Sequence, residues 1–254
     1  MATLGTPPQP FLPPGQPAAP EWLRPGSIWR LEGELDLYSS PRGAGLATQA
    51  AGGRCLQLLE SPGQPRLRVR LLEDGYPGWI APEQLLGRAI TASRPSPRLL
   101  DRSAIQSRLA AVLAFALAAS RQPNVYLWGG TLGPDFDCSG LVQTAFASTG
   151  IWLPRDAYLQ ERFCQPVAVR PGETDRLEPG DLLFFGAPRR CTHVGLHLGQ
   201  GRYLHSSGQE HGRNGIGVDD LNPRNRDPVA VHYRSELRGA GRVMRCHDGS
   251  PLPA

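Results

Sequence analysis

Between Ser27 and Ile80 the chain alternates short apolar runs with turn residues: Ser27-Ile28-Trp29-Arg30-Leu31, Leu35-Asp36-Leu37-Tyr38, Cys55-Leu56-Gln57-Leu58-Leu59, Leu67-Arg68-Val69-Arg70-Leu71 and Gly78-Trp79-Ile80. Alternation with period two is clearest where Arg68 and Arg70 separate Leu67, Val69 and Leu71, and it marks a half-buried strand. Asp74-Gly75 supplies a turn before the last run. Strands this short and this closely spaced predict a small β-barrel over residues 25–88. From Ser103 the period changes. Apolar residues at 105, 109, 112, 113 and 116 recur at three- and four-residue steps, which predicts a helix capped by Ser103, running to about Ser120 and stopped by Pro123. Its apolar stretch, Leu109 to Ala119, is shorter than the roughly 20 residues of a bilayer span and predicts a buried helix.

A second helix opens near Cys138, where Leu141, Val142, Ala145 and Phe146 share one face, and closes at Gly150. Pro179-Gly180-Asp181 then turns into the apolar run Leu182-Leu183-Phe184-Phe185. Two further strands, around His193 to Gly199 and Tyr203 to Ser207, meet at Gly199-Gln200-Gly201-Arg202 as a hairpin. Residues 103–242 therefore read as an α+β domain, joined to the barrel by a linker over 89–102 that carries Pro95 and Pro97. Residues 1–24 are rich in proline, alanine and glycine and poor in large apolar side chains, which predicts a flexible tail, and 243–254 reads as a second tail.

Composition adds little to this pattern but excludes several classes. The formal charge of +4 is spread over scattered arginines rather than one basic run, so nucleic acid is not an expected partner. The first 20 residues hold no lysine or arginine ahead of an apolar stretch, so no export signal is read there. Five cysteines at irregular spacing do not form a disulfide framework, and free thiols suit a cytoplasmic setting. No membrane partner is expected.

The candidate chemistry sits in the second domain. Cys138 stands at a helix N-terminus, where unpaired amides and the macrodipole favour a thiolate and can hold an oxyanion, so a lowered thiol pKa is expected. His193 and His205 are twelve residues apart across the hairpin. A loop of odd length, or an even one with a bulge, puts both on one face; a two-residue loop without a bulge separates them. On one face, His193 can take the thiol proton while His205 holds its other ring nitrogen. His197 has the parity of His193 and reads as a packing residue. Cys191, His193 and His197 lack the further ligands a zinc site needs, so neither metal nor cofactor is expected.

Asp137-Cys138-Ser139-Gly140-Leu141-Val142, Pro179-Gly180-Asp181-Leu182-Leu183-Phe184-Phe185, His193-Val194-Gly195 and the later His205 resemble, in order and spacing, the signature of NlpC/P60 cysteine peptidases. The resemblance covers roughly residues 105–220 and implies a papain-like fold and acyl transfer through Cys138, His193 and His205. The preceding barrel resembles bacterial SH3-like (SH3b) domains, with Leu35-Asp36-Leu37-Tyr38 ahead of a closing Gly78-Trp79-Ile80. Together they look like the γ-D-glutamyl-L-diamino acid endopeptidases that act on recycled murein tripeptides or tetrapeptides, in which the SH3b domain packs on the catalytic domain. That likeness implies an oxyanion-holding role for Tyr126 and binding of a free N-terminal amine by Ser139 and Asp156. Glu34, Asp36 and Tyr76 are further candidates in the barrel. The rival readings are a non-catalytic cell-wall peptide-binding module, or an amidase or acyltransferase on the same fold.

Overall fold

A computed structural model describes residues 13–97 and 99–250. The N-terminal barrel holds β1 (Ile28–Leu31), β2 (Leu35–Tyr38), β3 (Leu46–Ala50), β4 (Cys55–Leu58), β5 (Leu67–Leu71), β6 (Pro77–Ile80) and β7 (Ala89–Thr91). They form one antiparallel sheet in the order β3-β2-β6-β5-β4-β1-β7. Alternate residues point inward, so Trp29, Leu31, Leu37, Leu56, Leu58, Val69, Leu71 and Ile80 are all buried in one core. The pattern predicted five of these strands. β3 reads Leu-Ala-Thr-Gln-Ala and lacks a clear apolar alternation, because its polar residues serve the contact with the second domain. Thr48 Oγ1 accepts from Arg155 Nε at 2.9 Å, and the Gln49 carbonyl accepts from the Thr131 hydroxyl at 2.8 Å.

The second domain contains α1 (Arg102–Gln106), α2 (Leu109–Ser120), α3 (Cys138–Ala147), α4 (Ala157–Phe163), β8 (Gln165–Val167), β9 (Leu182–Phe185), β10 (His193–Gly199), β11 (Arg202–Ser207), β12 (Gly215–Asp220), α5 (Pro228–Ser235) and β13 (Leu237–Arg242). Its sheet runs β12-β11-β10-β9-β13-β8 and is antiparallel throughout. β9 is buried on both faces. Leu182 and Phe184 share a core with α3 residues Leu141, Val142, Ala145 and Phe146, while Leu183 and Phe185 join Tyr203, Val229 and Tyr233 beneath α5. This two-sided burial explains the unbroken apolar run of β9, which a strand with one wet face would not carry.

Several expectations need correction. The helix expected from Ser103 is capped instead by Asp101, whose carboxylate accepts from the Ala104 amide at 2.8 Å, and it breaks into α1 and α2. α2 is buried on one face only, through Val112 and Ala116, and leaves Ala110, Ala111, Ala114 and Ala118 exposed. The residues 13–24 assigned to a flexible tail are ordered against β7. The amides of Gly15 and Ala18 donate to Thr91 and Ala89, and Trp22 and Leu23 pack on the barrel core. Extended, proline-rich chain suits the edge of a sheet, where some amides need no partner; residues 1–12 lie outside the described residues. The linker expected over 89–102 begins with β7, and residues 243–250 are not a loose tail either, since Val243, Cys246 and His247 are buried. Residues 251–254 lie outside the described residues.

The domain contact is polar and buried. Arg54 pairs with Glu73 and Asp74 at 3.2 and 2.9 Å, and the Gln143 amide on α3 donates to Asp74 at 2.9 Å and to the Leu153 carbonyl at 2.8 Å. The Arg54 guanidinium also lies 4.6 Å from the ring centre of Trp152. The Asp74 side chain is wholly buried, so its charge must be compensated locally. Asp74→Ala leaves a buried guanidinium one partner short and is expected to cost about 3 kcal/mol of stability, measured by urea unfolding.

Candidate active site

The site begins with a crossing of two backbones. Asp137 is the N-cap of α3: its Oδ1 accepts from the Gly140 amide at 2.7 Å and its Oδ2 from the Gly129 amide at 2.9 Å. Gly140 lies so close to the Gly129-Gly130 turn that a Cβ there would stand 2.0 Å from the Gly130 carbonyl oxygen. Both glycine motifs are therefore needed to seat Cys138 at the helix mouth. Arg155 closes the arrangement from α4's side, donating from Nη1 to Asp137 and Ser139 at 3.0 and 2.9 Å.

Cys138 is 5% exposed, and the amides of Val194 and Ser139 favour its thiolate. Burial, with the Asp137 charge added, pushes the thiol up to about 12, while the two amides and Arg155 pull the other way. The expected lowering is thus overturned. The helix end that favours a thiolate is already occupied by the carboxylate of its own cap, and little water reaches the sulfur.

A β-bulge decides the placement of the histidines. Gln200 and Gly201 turn the hairpin with φ of 53° and 71°, a two-residue loop that by itself would set His193 and His205 on opposite faces. The register shifts between His197 and Gly199, so that His197 opposes Tyr203 and Leu196 opposes Leu204, which sets Gly195 beside His205. Both histidines then share a face, and His193 Nε2 lies 2.7 Å from His205 Nδ1. Gly195 makes room for this, because a Cβ there would meet the Tyr203 ring at 2.7 Å. His205 Nε2 is in turn 2.7 Å from Asp219 Oδ2, which also accepts from Arg213 at 2.7 Å. Tyr233 of α5 stacks on His193 with ring centres 4.2 Å apart. Burial holds His193 well below 6.5, helped by the nearby His205, His211 and His232. His197 instead braces the hairpin, its Nδ1 on the Glu178 carbonyl and its Nε2 accepting from the Gly201 amide.

Cys138 and His193 open onto a cleft of about 740 Å³ between the two domains, which Tyr126, Ser139 and Asp156 also line. His205 stands behind His193, fully buried. Burial raises the Tyr126 phenol. From the barrel, Tyr76 reaches the cleft and donates its hydroxyl to Asp156 at 3.2 Å. Burial raises the Asp156 carboxyl, against the charge of Arg155 and the bond from Tyr76. The other barrel candidates do not reach it: Glu34 is exposed, and Asp36 holds the Gln49 amide at 3.0 Å. Cys191 spends its thiol on the His193 carbonyl, and among the described residues no cluster of three metal-ligating side chains occurs. Pattern reading missed Arg155, Tyr233, Arg213 and Asp219. Asp219 is revealed only by the pairing of β11 with β12, which places Gly217 opposite His205.

With this geometry in view, residues 123–234 match the NlpC/P60 family and residues 37–85 match the bacterial dipeptidyl-peptidase Sh3 domain. A γ-D-glutamyl-L-lysine dipeptidyl-peptidase of Bacillus cereus is 40% identical over 84 residues, 32% of this chain and 24% of that protein. The bifunctional muramidase/DL-endopeptidase CwlT of Bacillus subtilis is 36% identical over 137 residues, 52% of this chain and 36% of that protein. Both alignments thus span well under half of the curated relatives. Among solved structures, an NlpC/P60 family protein from Bacillus cereus aligns over 86% of this chain and 64% of its own at 23% identity, with a TM-score of 0.43. This chain joins a bacterial SH3 domain to a domain of the NlpC/P60 peptidase family.

Proposed function

We propose that the chain is a cell-wall cysteine peptidase that hydrolyses the γ-D-glutamyl-L-diamino acid bond of murein peptides with a free N-terminal L-alanine. The observation that carries this reading is the end of the cleft beyond Cys138, where Asp156, Ser139 and the barrel residue Tyr76 converge. An ammonium leaving water needs an anion and acceptor oxygens in place of its hydration shell, and this end supplies them. Tyr76 lines the same cleft from the barrel side, and a cleft bounded by a second domain favours short peptides. Curated relatives named for the γ-D-glutamyl-L-lysine bond support the choice of bond.

In this reading Cys138 attacks the γ-glutamyl carbonyl as its proton passes to His193, forming the C–S bond and an oxyanion. Tyr126 and the amide at the mouth of α3 stabilise that charge. The protonated His193 then gives its proton to the leaving diamino acid, and water, deprotonated by His193, releases the dipeptide from sulfur. His205 keeps the His193 ring in place throughout. The peptides are recycled ones met in the cytoplasm, a setting supported by five free, buried cysteines.

Three outcomes are expected. Cys138→Ala abolishes release of the diamino acid from L-Ala-γ-D-Glu-diamino acid, followed by mass spectrometry; release by the variant excludes this nucleophile. Asp156→Asn lowers kcat/KM on that tripeptide about 100-fold, roughly 2–3 kcal/mol for a lost charge pair. It lowers the rate on the N-acetylated peptide far less, so the preference for a free amine collapses. The pH profile follows from the low His193 pKa: the imidazole is a free base above it, so kcat/KM stays flat from about pH 6.5 to 8 and falls only in more acid solution.

A further inference from the structure

His193 can serve as a base toward Cys138 only if Nδ1 is bare, because its Nε2 is already taken by His205. A neutral imidazole has one proton and two places for it, so something must choose between them. At the far end of the chain of contacts stands Asp219, with a side chain 4% exposed. Burial works to raise its carboxyl, but the bond from His205 and the charge of Arg213 outweigh that and leave it below the usual range. It is therefore an ionised acceptor.

We propose that Asp219, held by Arg213, is the positioning residue that sets the tautomers of both histidines, and we rest this on the cysteine-peptidase reading above. An ionised carboxylate has no proton to give, so His205 Nε2 must carry one. His205 Nδ1 is then bare and accepts, which obliges His193 Nε2 to donate, and the proton left out is the one on His193 Nδ1. One buried anion thus fixes the proton two rings away. Burial, which keeps both rings neutral, is what lets the rule pass along the chain; a doubly protonated ring would break it.

Arg213 adds a second constraint through the sequence Gly-Val-Asp of β12. Gly217 lies opposite His205, and a Cβ on it would meet Arg213 Nη1 at 2.1 Å. The guanidinium therefore lies across the bare backbone of Gly217 and reaches Asp219 Oδ2, the same oxygen that accepts from His205. Two donors converge on one oxygen. An asparagine at 219 must then present its carbonyl there rather than its amide, and should keep the native tautomers. A leucine has no acceptor: the buried His205 Nε2 proton is lost to Nδ1, the displaced Arg213 can donate to the bared Nε2, and His193 is driven to carry its proton on Nδ1.

The test is ring-nitrogen NMR on ¹⁵N-histidine-labelled full-length protein without substrate, with the two histidines assigned by substitution. Wild type and Asp219→Asn are expected to show Nε2–H at both rings. Asp219→Leu is expected to show Nδ1–H at both, and alkylation of Cys138 by iodoacetamide, read by peptide mass spectrometry, is expected to slow at least tenfold. A wild-type His193 protonated on Nδ1 overturns the proposal, as does a flip in Asp219→Asn or none in Asp219→Leu. Should the leucine variant fail to fold, wild type and Asp219→Asn still decide it. Because tautomers are read without substrate, peptide hydrolysis can fail while this assignment stands, and the assignment can fail while hydrolysis persists.

Discussion

The buried ion pair between Asp137 and Arg155 is the interaction on which the rest of the site depends. A carboxylate 9% exposed and a guanidinium 2% exposed are costly to bury apart, and removal of either strands the other. Here the pair does several jobs at once. Asp137 caps α3 and holds the Gly129 turn, while Arg155 binds Ser139 and extends to Thr48 of the barrel. The position of the helix mouth, the placing of Ser139 in the cleft and the seating of the barrel are therefore set by one network rather than three.

The same pair shapes the electrostatics around Cys138. A helix N-terminus alone would draw the thiol toward ionisation, yet the capping carboxylate and the loss of water raise it. His193 is lowered by the same loss of water. Burial thus disfavours the charged form of both the thiol and the imidazole that line this cleft. A dry, preorganised setting of this kind gives fixed amide dipoles their greatest leverage on a developing oxyanion. Tyr233 and Phe185 pack against the His193 ring, and that packing is part of what keeps the setting dry.

The barrel contributes to the cleft as well as packing on it. β3 carries weak strand propensity because Thr48 and Gln49 are committed to the second domain, and Tyr76 supplies a hydroxyl to Asp156. Ordered segments lie near both ends of the described residues. Residues 13–24 extend the barrel beyond β7, and residues 243–250 run back against the Asp74-Gly75 turn, where Gly249 lies in contact with Leu72. Low apolar content predicted loose ends there, but edge pairing and close glycine contacts need few large side chains.

Local periodicity by itself determined about half of the elements: five barrel strands, the amphipathic face of α3, the apolar run of β9 and the hairpin that carries the histidines. These are near-neighbour properties, and the side chains that encode them lie within a few residues of each other. The order of the Cys138, His193 and His205 segments was likewise legible, with Tyr126, Ser139 and Asp156 around them. Tertiary structure alone decided which face His205 takes, because one bulged residue after His197 reverses the parity that a tight turn imposes. It also chose Arg155 for Asp137, Asp219 for His205 and Tyr76 for Asp156, and it set the thiol's proton affinity. Each of these depends on how far water is excluded and on which distant side chain arrives first, and neither is written in the spacing of one segment.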